Sequence, residues 1–292
     1  MIVAVYNRAF KKMDMPVFLH LLAALNEHSI TPILYEPLYV QLKERIELPE
    51  YISYFSEQKP LPPKTKYVIS MGGDGTMLDV VTFVGNKKIP ILGINIGRLG
   101  FLSATQPNEI DEAISAIIKE TYQLESRSLV HVDSNIDLFG DAPFALNEFT
   151  LQRKDSSSLV KIKTYLNGEF LCTYWADGLI VSTPTGSTGY SLSCGGPIIF
   201  PQASSFVITP VAPHNLSVRP IIVADSSIIS FEIEGRADKF LCTLDSRSVA
   251  IDSEVSIAVR KEDFEIYLVK LEGQNFLSTL QTKLMWGLDQ RN

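Results

Sequence analysis

The sequence predicts two halves of different class: an α/β N-terminal domain, with a parallel sheet covered by helices on both faces, and an all-β C-terminal domain built as a layered sheet or sandwich. Three observations carry this reading. Up to about residue 122, short apolar runs alternate with stretches whose apolar residues recur at helical spacing, as in strands joined by crossover helices. Beyond it, most segments are short alternating or apolar runs bounded by turn residues, which is the pattern of strands. Inside that second half, Asn167-Gly168 separates two alternating segments in "YLNGEF", a strong two-residue hairpin signal.

The elements follow in order. "MIVAVYN" is an apolar run of the buried-strand type, and Val17, Phe18, Leu21, Leu22 and Leu25 then mark one helix face. "TPILYEP" predicts a second strand. "KPLPPKTK", residues 59–66, is proline-rich and basic, a loop leading into the strand "YVIS". After a glycine cluster, "TMLDVVTFVG" reads as a helix and "IPILGIN" as another strand. Ile110, Ala113, Ile114, Ile117 and Ile118 give one face of a further helix, with Pro107 near its start. The first domain is therefore expected over 1–122. Residues 123–270 hold the strand segments "SLVHVDSN", "FALNEFTLQR", "LVKIKTYLNGEFLCTYWADGLIVSTP", "SSIISFEIEG", "KFLCTLDSRSVAI" and "EVSIAVRK", with the serine run 156–158 as a loop. Residues 271–292 contain "LSTLQTKLMWG", a helix expected to pack back on the first domain.

The totals exclude several classes. With 292 residues, 46% hydrophobic and 20% charged, the chain is globular and long enough for one large or two ordinary domains. A net charge of −7 argues against a nucleic-acid partner, which calls for a basic face. It still allows phosphate binding through backbone N–H groups. Cys172, Cys194 and Cys242 are widely spaced and form no CxxC pair, so they read as reduced thiols rather than disulfides or zinc ligands. The first residues lack the layout of a secretory signal, and no apolar run reaches the roughly 18 residues of a membrane helix. A cytoplasmic protein without membrane contact is expected.

The chemistry concentrates in three stretches. In "SMGGDGTML", residues 70–78, a strand, a glycine-rich turn and a helix line up free backbone N–H groups where anions bind. Gly72, Gly73, Gly75 and Thr76 form the candidate phosphate loop, since glycines let a ligand approach the backbone closely. Asp74 is out of place there, because a carboxylate repels a phosphate. Three uses would justify it: holding a magnesium ion, taking a proton from an attacking hydroxyl, or capping the helix. Neither GxGxxG nor GxxxxGK[ST] fits the loop.

"TPTGSTGYSLSCGGPI", residues 183–198, packs hydroxyls and glycines between proline corners, and loops this long and polar are usually functional. In "LNEFTL", Asn147 and Glu148 are adjacent, and adjacent strand residues point to opposite faces. Either both are exposed polar strand residues, or one of them faces a site, or a bulge or strand end re-aims the pair.

Taken in order, "GGDGT", "GINIGRLGFL", "LNE" and "DGLIVSTPTGSTGYSLSCGGPI" resemble the bacterial NAD kinase family across nearly the whole chain. "GGDGT" alone is similar to the signature of a wider superfamily that joins NAD kinases, diacylglycerol kinases and, more distantly, phosphofructokinases. "DGLIVSTPTGSTGY" is not expected in the lipid kinases and singles out the narrower family. The resemblance implies phosphoryl transfer from ATP to the 2′-hydroxyl of the adenosine ribose of NAD. A divalent metal ion, magnesium, would accompany ATP rather than occupy a dedicated protein site. It also implies a Rossmann-like α/β domain and a β-rich domain with NAD between them, in a homo-oligomer, dimer or tetramer, whose subunits share active sites.

Carried over by position, the resemblance makes Asp74 the catalytic base for the hydroxyl and Gly75 a backbone contact to the dinucleotide. Phe101 matches an aromatic near the adenine, against which stands a plain core phenylalanine. Asn147 and Glu148 match the pair that binds the adenosine portion, and Asp177 the contact to the nicotinamide-ribose end. Thr188, Gly189, Tyr190, Ser191, Leu192 and Ser193 match the lining of the adenine pocket, and Ala212 lies in a loop bordering it. His214, in the same loop, has no partner that would make it a catalyst. Two residues depart from the family pattern. Trp175 stands where relatives often have a small or basic residue, and could alter the choice between NAD and NADH or simply pack. Arg247 stands where relatives tend to have glycine or glutamine, and could reach a phosphate or be solvated. Two other readings compete: a diacylglycerol-type lipid kinase, for which no basic amphipathic stretch is found, and a non-catalytic dinucleotide sensor, which has no use for Asp74.

Overall fold

A computed structural model of the chain describes residues 1–154, 159–234 and 239–287. The serine run 156–158 lies outside the described residues. The chain divides into two compact units, Met1–Ser126 with Ile266–Asn292, and Arg127–Glu265.

In the first unit the apolar runs become strands and the helically spaced stretches become helices: β1 (Ile2–Tyr6), α1 (Met15–Glu27), β2 (Thr31–Tyr35), α2 (Glu36–Lys43), β3 (Ser53–Phe55), β4 (Thr65–Met71), α3 (Asp74–Val84), β5 (Ile91–Ile94), α4 (Ile110–Lys119) and β6 (Gln123–Arg127). Side chains alternate across the sheet. Val3 and Val5 of β1 enter a core shared with Phe18 and Leu21 of α1 and Ile114 of α4, whereas Tyr6 meets Phe83 of α3 at 5.5 Å. Helices therefore cover both faces.

The second unit comprises β7 (Val130–Ser134), β8 (Phe144–Ala145), β9 (Glu148–Arg153), β10 (Val160–Leu166), β11 (Glu169–Ala176), β12 (Gly178–Ser182), the short α5 (Tyr190–Ser193), β13 (Ser205–Val211), β14 (Ile221–Ala224), β15 (Ile229–Glu234), β16 (Phe240–Leu244), β17 (Arg247–Ile251) and β18 (Ile257–Lys261). Two six-stranded sheets, ordered β11-β10-β15-β18-β7-β8 and β14-β13-β12-β9-β16-β17, are paired antiparallel throughout. Their inner faces share one core, in which Phe149 of one sheet stacks on Phe231 of the other at 5.7 Å. Asn167 (φ 52°) and Gly168 (φ 84°) join β10 to β11, the two left-handed residues that a type I′ hairpin requires.

The chain then returns to the first unit with β19 (Ile266–Lys270) and α6 (Phe276–Leu284). The completed sheet runs β3-β2-β1-β4-β5-β19-β6, and its pairs from β3 through β19 are parallel. Residues 266–270, expected in the β-rich half, form a strand of the first unit's sheet. Successive strands leave β1 in both directions, so the order reverses between β1 and β4, the place where open α/β sheets bind ligands beyond the carboxyl ends of their strands. The glycine loop follows β4 at that point. No described helix is long and apolar enough to cross a membrane.

Candidate active site

The junction of β4 and α3 is built around one carboxylate. Gly72 donates its N–H to the Ile94 carbonyl at 2.9 Å, keeping the end of β4 on β5. Gly73 is the N-cap residue of α3 and Asp74 its first residue. Asp74 does not cap its own helix. Its Oδ2 accepts the N–H of Phe101 at 2.8 Å, and its Oδ1 accepts those of Leu102 at 2.9 Å and Ser103 at 3.2 Å. The loop "GINIGRLGFL" is thus wrapped on the Asp74 carboxylate. Asn95 holds the loop from inside, donating to the carbonyls of Arg98 (2.7 Å) and Ser103 (3.2 Å) and accepting from Gly97 (2.8 Å). Only glycine fits at position 100, where an added Cβ would lie 2.0 Å from Asp74 Oδ1.

The Asp74 side chain keeps 28% of its surface exposed. Thr76, in the first turn of α3, donates its N–H to the Gly73 carbonyl at 3.1 Å. At Gly73 and Gly75 an added Cβ would meet nothing within 4 Å among the described residues. Gly73 also has ordinary extended dihedrals, φ −93° and ψ −168°. Internal packing does not require glycine at either position, and the space beside both is open. Phe101 is buried with its ring 6.0 Å from Phe276 of α6, which is the plain packing alternative. Lys283, also on α6, places Nζ 3.5 Å from Asp74 Oδ2 and 4.7 Å from the centre of the Phe101 ring.

A second carboxylate organises the other unit in the same way. "FALNEFTLQR" is not one strand: β8 ends at Ala145 in one sheet and β9 starts at Glu148 in the other. At the break, the N–H groups of Leu146, Asn147 and Glu148 converge on Asp245, at 2.9, 2.9 and 3.1 Å. The strand end re-aims the pair. Phe149 enters the sandwich core, so Glu148 faces the opposite side. The Asn147 carbonyl accepts the Thr183 N–H at 2.9 Å, and the Thr183 hydroxyl donates to the Leu146 carbonyl at 2.6 Å. An added Cβ at Gly186 would stand 2.2 Å from the Asn147 oxygen, so close approach requires glycine there. The "LNE" and "TPTGSTGY" motifs are therefore one structure.

Glu148 Oε2 is shielded from solvent and has no hydrogen-bond partner among the described residues. Burial, reinforced by the charge of Asp245, pushes the Glu148 carboxyl up to about 8. Burial also raises Asp245, against the three N–H groups that pull it down. Position 189 adjoins this carboxyl: a Cβ on Gly189 would lie 3.3 Å from Glu148 Oε2 and 3.7 Å from Asn147 Nδ2.

The remaining candidates divide. Tyr190 is exposed and its hydroxyl accepts from Gln152 at 2.8 Å. Thr188 donates to the Thr185 carbonyl at 3.2 Å, Leu192 is half-buried, and Ser193 is exposed. Ser191 is buried with its hydroxyl 2.8 Å from that of Thr209, turned into the fold. Asp177 is bridged to Arg153 at 3.0 Å. Trp175 lies on β11 under the Lys161 ammonium, 4.5 Å from the ring centre. Its backbone carbonyl accepts the His214 N–H at 2.7 Å and its N–H donates to Asn215 Oδ1 at 3.2 Å, which ties down the loop carrying Ala212 (φ 44°). Arg247 makes contacts within its own unit. Its guanidinium donates to the Ala142 and Phe144 carbonyls and lies near the Phe139 and Phe144 rings, so it clamps the chain before β8 and the start of that strand.

Sequence reasoning missed Asp245, Asn95 and Lys283. Asp245 had a local signal, an aspartate in a strand-to-strand turn with φ 52°. Lys283 had none. Among the described residues no three His, Cys, Asp or Glu side chains are grouped to hold a metal ion.

The family model for the ATP-NAD kinase N-terminal domain matches residues 56–122, and that for the ATP-NAD kinase C-terminal domain matches residues 146–271. The NAD kinase of Cytophaga hutchinsonii is 49% identical over 293 residues, covering 100% of both chains. The fold is that of the yeast NADH kinase solved with NADH (TM-score 0.87, 24% identity, 99% of this chain and 88% of that one). It is also that of an Archaeoglobus fulgidus NAD kinase solved with ATP (TM-score 0.75, 22% identity, 98% and 99%). With both halves matched and full-length identity near one half, the chain belongs to the NAD kinase family.

Proposed function

We propose that the chain transfers the γ-phosphoryl group of ATP to the 2′-hydroxyl of the adenosine ribose of NAD, giving NADP and ADP. The observation that carries this reading is the Asp74 carboxylate, held by three N–H groups beside two glycines whose open faces no packing explains. Oδ1 is filled by two N–H donors, whereas Oδ2 takes one N–H and only a long 3.5 Å contact from Lys283, so Oδ2 is the oxygen open to an acceptor hydroxyl. The acceptor hydroxyl donates to it. As the ribose oxygen bonds to the γ-phosphorus, the bond from that phosphorus to the β,γ-bridging oxygen breaks, ADP leaves, and the hydroxyl proton passes to Oδ2. Such a transfer runs on positioning and charge, and a base that orients the hydroxyl suffices.

Gly73, Gly75 and the first N–H groups of α3 give the phosphates their approach at the reversal of strand order. Asn147 and Glu148 hold the adenosine portion, with the segment Thr188 to Ser193 lining the adenine pocket and the Ala212 loop bordering it, Asp177 towards the nicotinamide end, and Trp175 near that end. A divalent cation, magnesium, neutralises the phosphates when it arrives with ATP. The reading carries with it a cytoplasmic homo-oligomer, dimer or tetramer, which light scattering checks. The deciding assay incubates the protein with ATP, magnesium and NAD and measures NADP. Phosphorylation of diacylglycerol with no NADP would overturn the reading.

A further inference from the structure

Lys283 stands at the proposed reaction centre without a part in it so far. Helix α6, which carries it, is well anchored. Asn275 caps the helix by accepting the Ser278 N–H at 2.9 Å, Gln274 donates to the Thr105 hydroxyl at 3.3 Å, and Phe276 packs on Phe101. The end of the lysine is held loosely by comparison. Its contact to Asp74 Oδ2 is 3.5 Å, too long for a strong hydrogen bond, and the Phe101 ring supplies a cation–π contact at 4.7 Å. A lysine ammonium on a flexible stem can move a few ångströms while its helix stays fixed.

The oxygen it touches is Oδ2, which Phe101 N–H leaves with one lone pair open. That is where the acceptor hydroxyl must dock. A hydroxyl there displaces the ammonium and leaves it beside the phosphoryl group in transfer, where negative charge is spread over the equatorial oxygens. A merely structural role fits less well, since a half-exposed, long ion pair stabilises a fold little.

We propose that Lys283 is a further catalytic residue: its ammonium waits on Asp74 Oδ2 and Phe101, yields that oxygen to the acceptor hydroxyl, and then hydrogen-bonds an equatorial oxygen of the transferring phosphoryl group. The lysine keeps its proton throughout; the hydroxyl proton still goes to Asp74. This rests on the kinase reading above.

The test uses the full chain with ATP, magnesium and NAD, comparing wild type, Lys283→Met and Lys283→Arg in steady-state NADP formation and thermal melting. Lys283→Met keeps the stem over Phe101 and removes only the charge. Its kcat is expected to fall about 100-fold, with KM for NAD within about threefold and an unchanged melting temperature. Lys283→Arg should recover at least about a tenth of the wild-type rate. A Lys283→Met kcat within about threefold of wild type would overturn the proposal, as would a loss confined to KM or an arginine variant no faster than the methionine one. If Lys283→Met melts early, Lys283→Gln against Lys283→Arg, at a temperature where both are folded, decides on the same thresholds. A wild-type chain that makes no NADP overturns the kinase reading itself, and this proposal with it.

Discussion

Replacing Glu148 by glutamine should flatten part of the protein's pH-dependent stability. In the fold the Glu148 carboxyl sits at about 8 against an ordinary 4.5, because burial and the neighbouring Asp245 disfavour its charged form. The folded chain then binds this proton more tightly than the unfolded chain, so stability must fall as pH rises between those two values and level off above the upper one. The slope is about 1.4 kcal/mol per pH unit, which gives about 3 to 4 kcal/mol between pH 5 and pH 8. Glutamine has the same shape and no titration. Its extra donors beside the unpartnered Oε2 position cost about 1 to 3 kcal/mol, but at every pH, so they move the whole curve and leave its slope alone. Asp245, raised by the same burial, is relieved of a like charge and acts in the same direction. Urea titrations of both proteins at pH 5, 6, 7 and 8 and fixed ionic strength read the difference directly. Glu148→Gln should gain on the wild type by about 3 kcal/mol across that range. Curves that stay parallel to within about 1 kcal/mol would refute the claim that this carboxyl is held neutral by burial.

Asp74→Asn should fold with a loss of about 1 to 3 kcal/mol, since an amide cannot accept from all three N–H groups, while kcat drops by about 100-fold or more and NAD binding measured by titration persists. Normal turnover in that variant would remove Asp74 as the base. Gly186→Ala forces a methyl against the Asn147 carbonyl and should cost about 1 to 3 kcal/mol in denaturant titrations and raise KM for NAD; an unchanged KM would separate the two motifs. Arg247→Gln should leave kcat and KM within about twofold and lower stability by about 1 to 3 kcal/mol, because the carbonyls of Ala142 and Phe144 lose their donors. A large rise in KM for either substrate would restore Arg247 as a ligand contact.

What could be read from the sequence was what is local. The alternation of apolar runs with helical spacing located β1, α1, β4, α3, β5 and α4, and Asn167-Gly168 located its hairpin. Helix α2 escaped because only Leu38 and Leu42 of its eight residues are buried, too few to show a period. Strand β13 escaped because Pro210 argues against a strand flanked on both sides. The structure resolves this: β14 pairs β13 only from Ser205 to Ile208, so the missing N–H at Pro210 faces no strand there. Asp74 was conspicuous in its motif, yet what it binds was not. The partners of the two organising carboxylates arise from chain reversals, with Asn147 separated from Asp245 by 98 positions and Asp74 from Lys283 by 209. No window on the sequence spans such distances.

The position of β19 between β5 and β6 has a consequence for the newborn chain. A ribosome delivers β1 to β5 early, but the strand that covers the edge of β5 emerges only after the whole β-rich unit has been made. Until then the edge of β5 is covered only at its end, by Thr105, and the part around Ile91 stays open to pairing with another chain. Helix α6, which brings Lys283 to Asp74, comes later still. A message truncated before residue 266 would therefore yield an unfinished sheet, and a chain lacking α6 would present Asp74 without its ammonium.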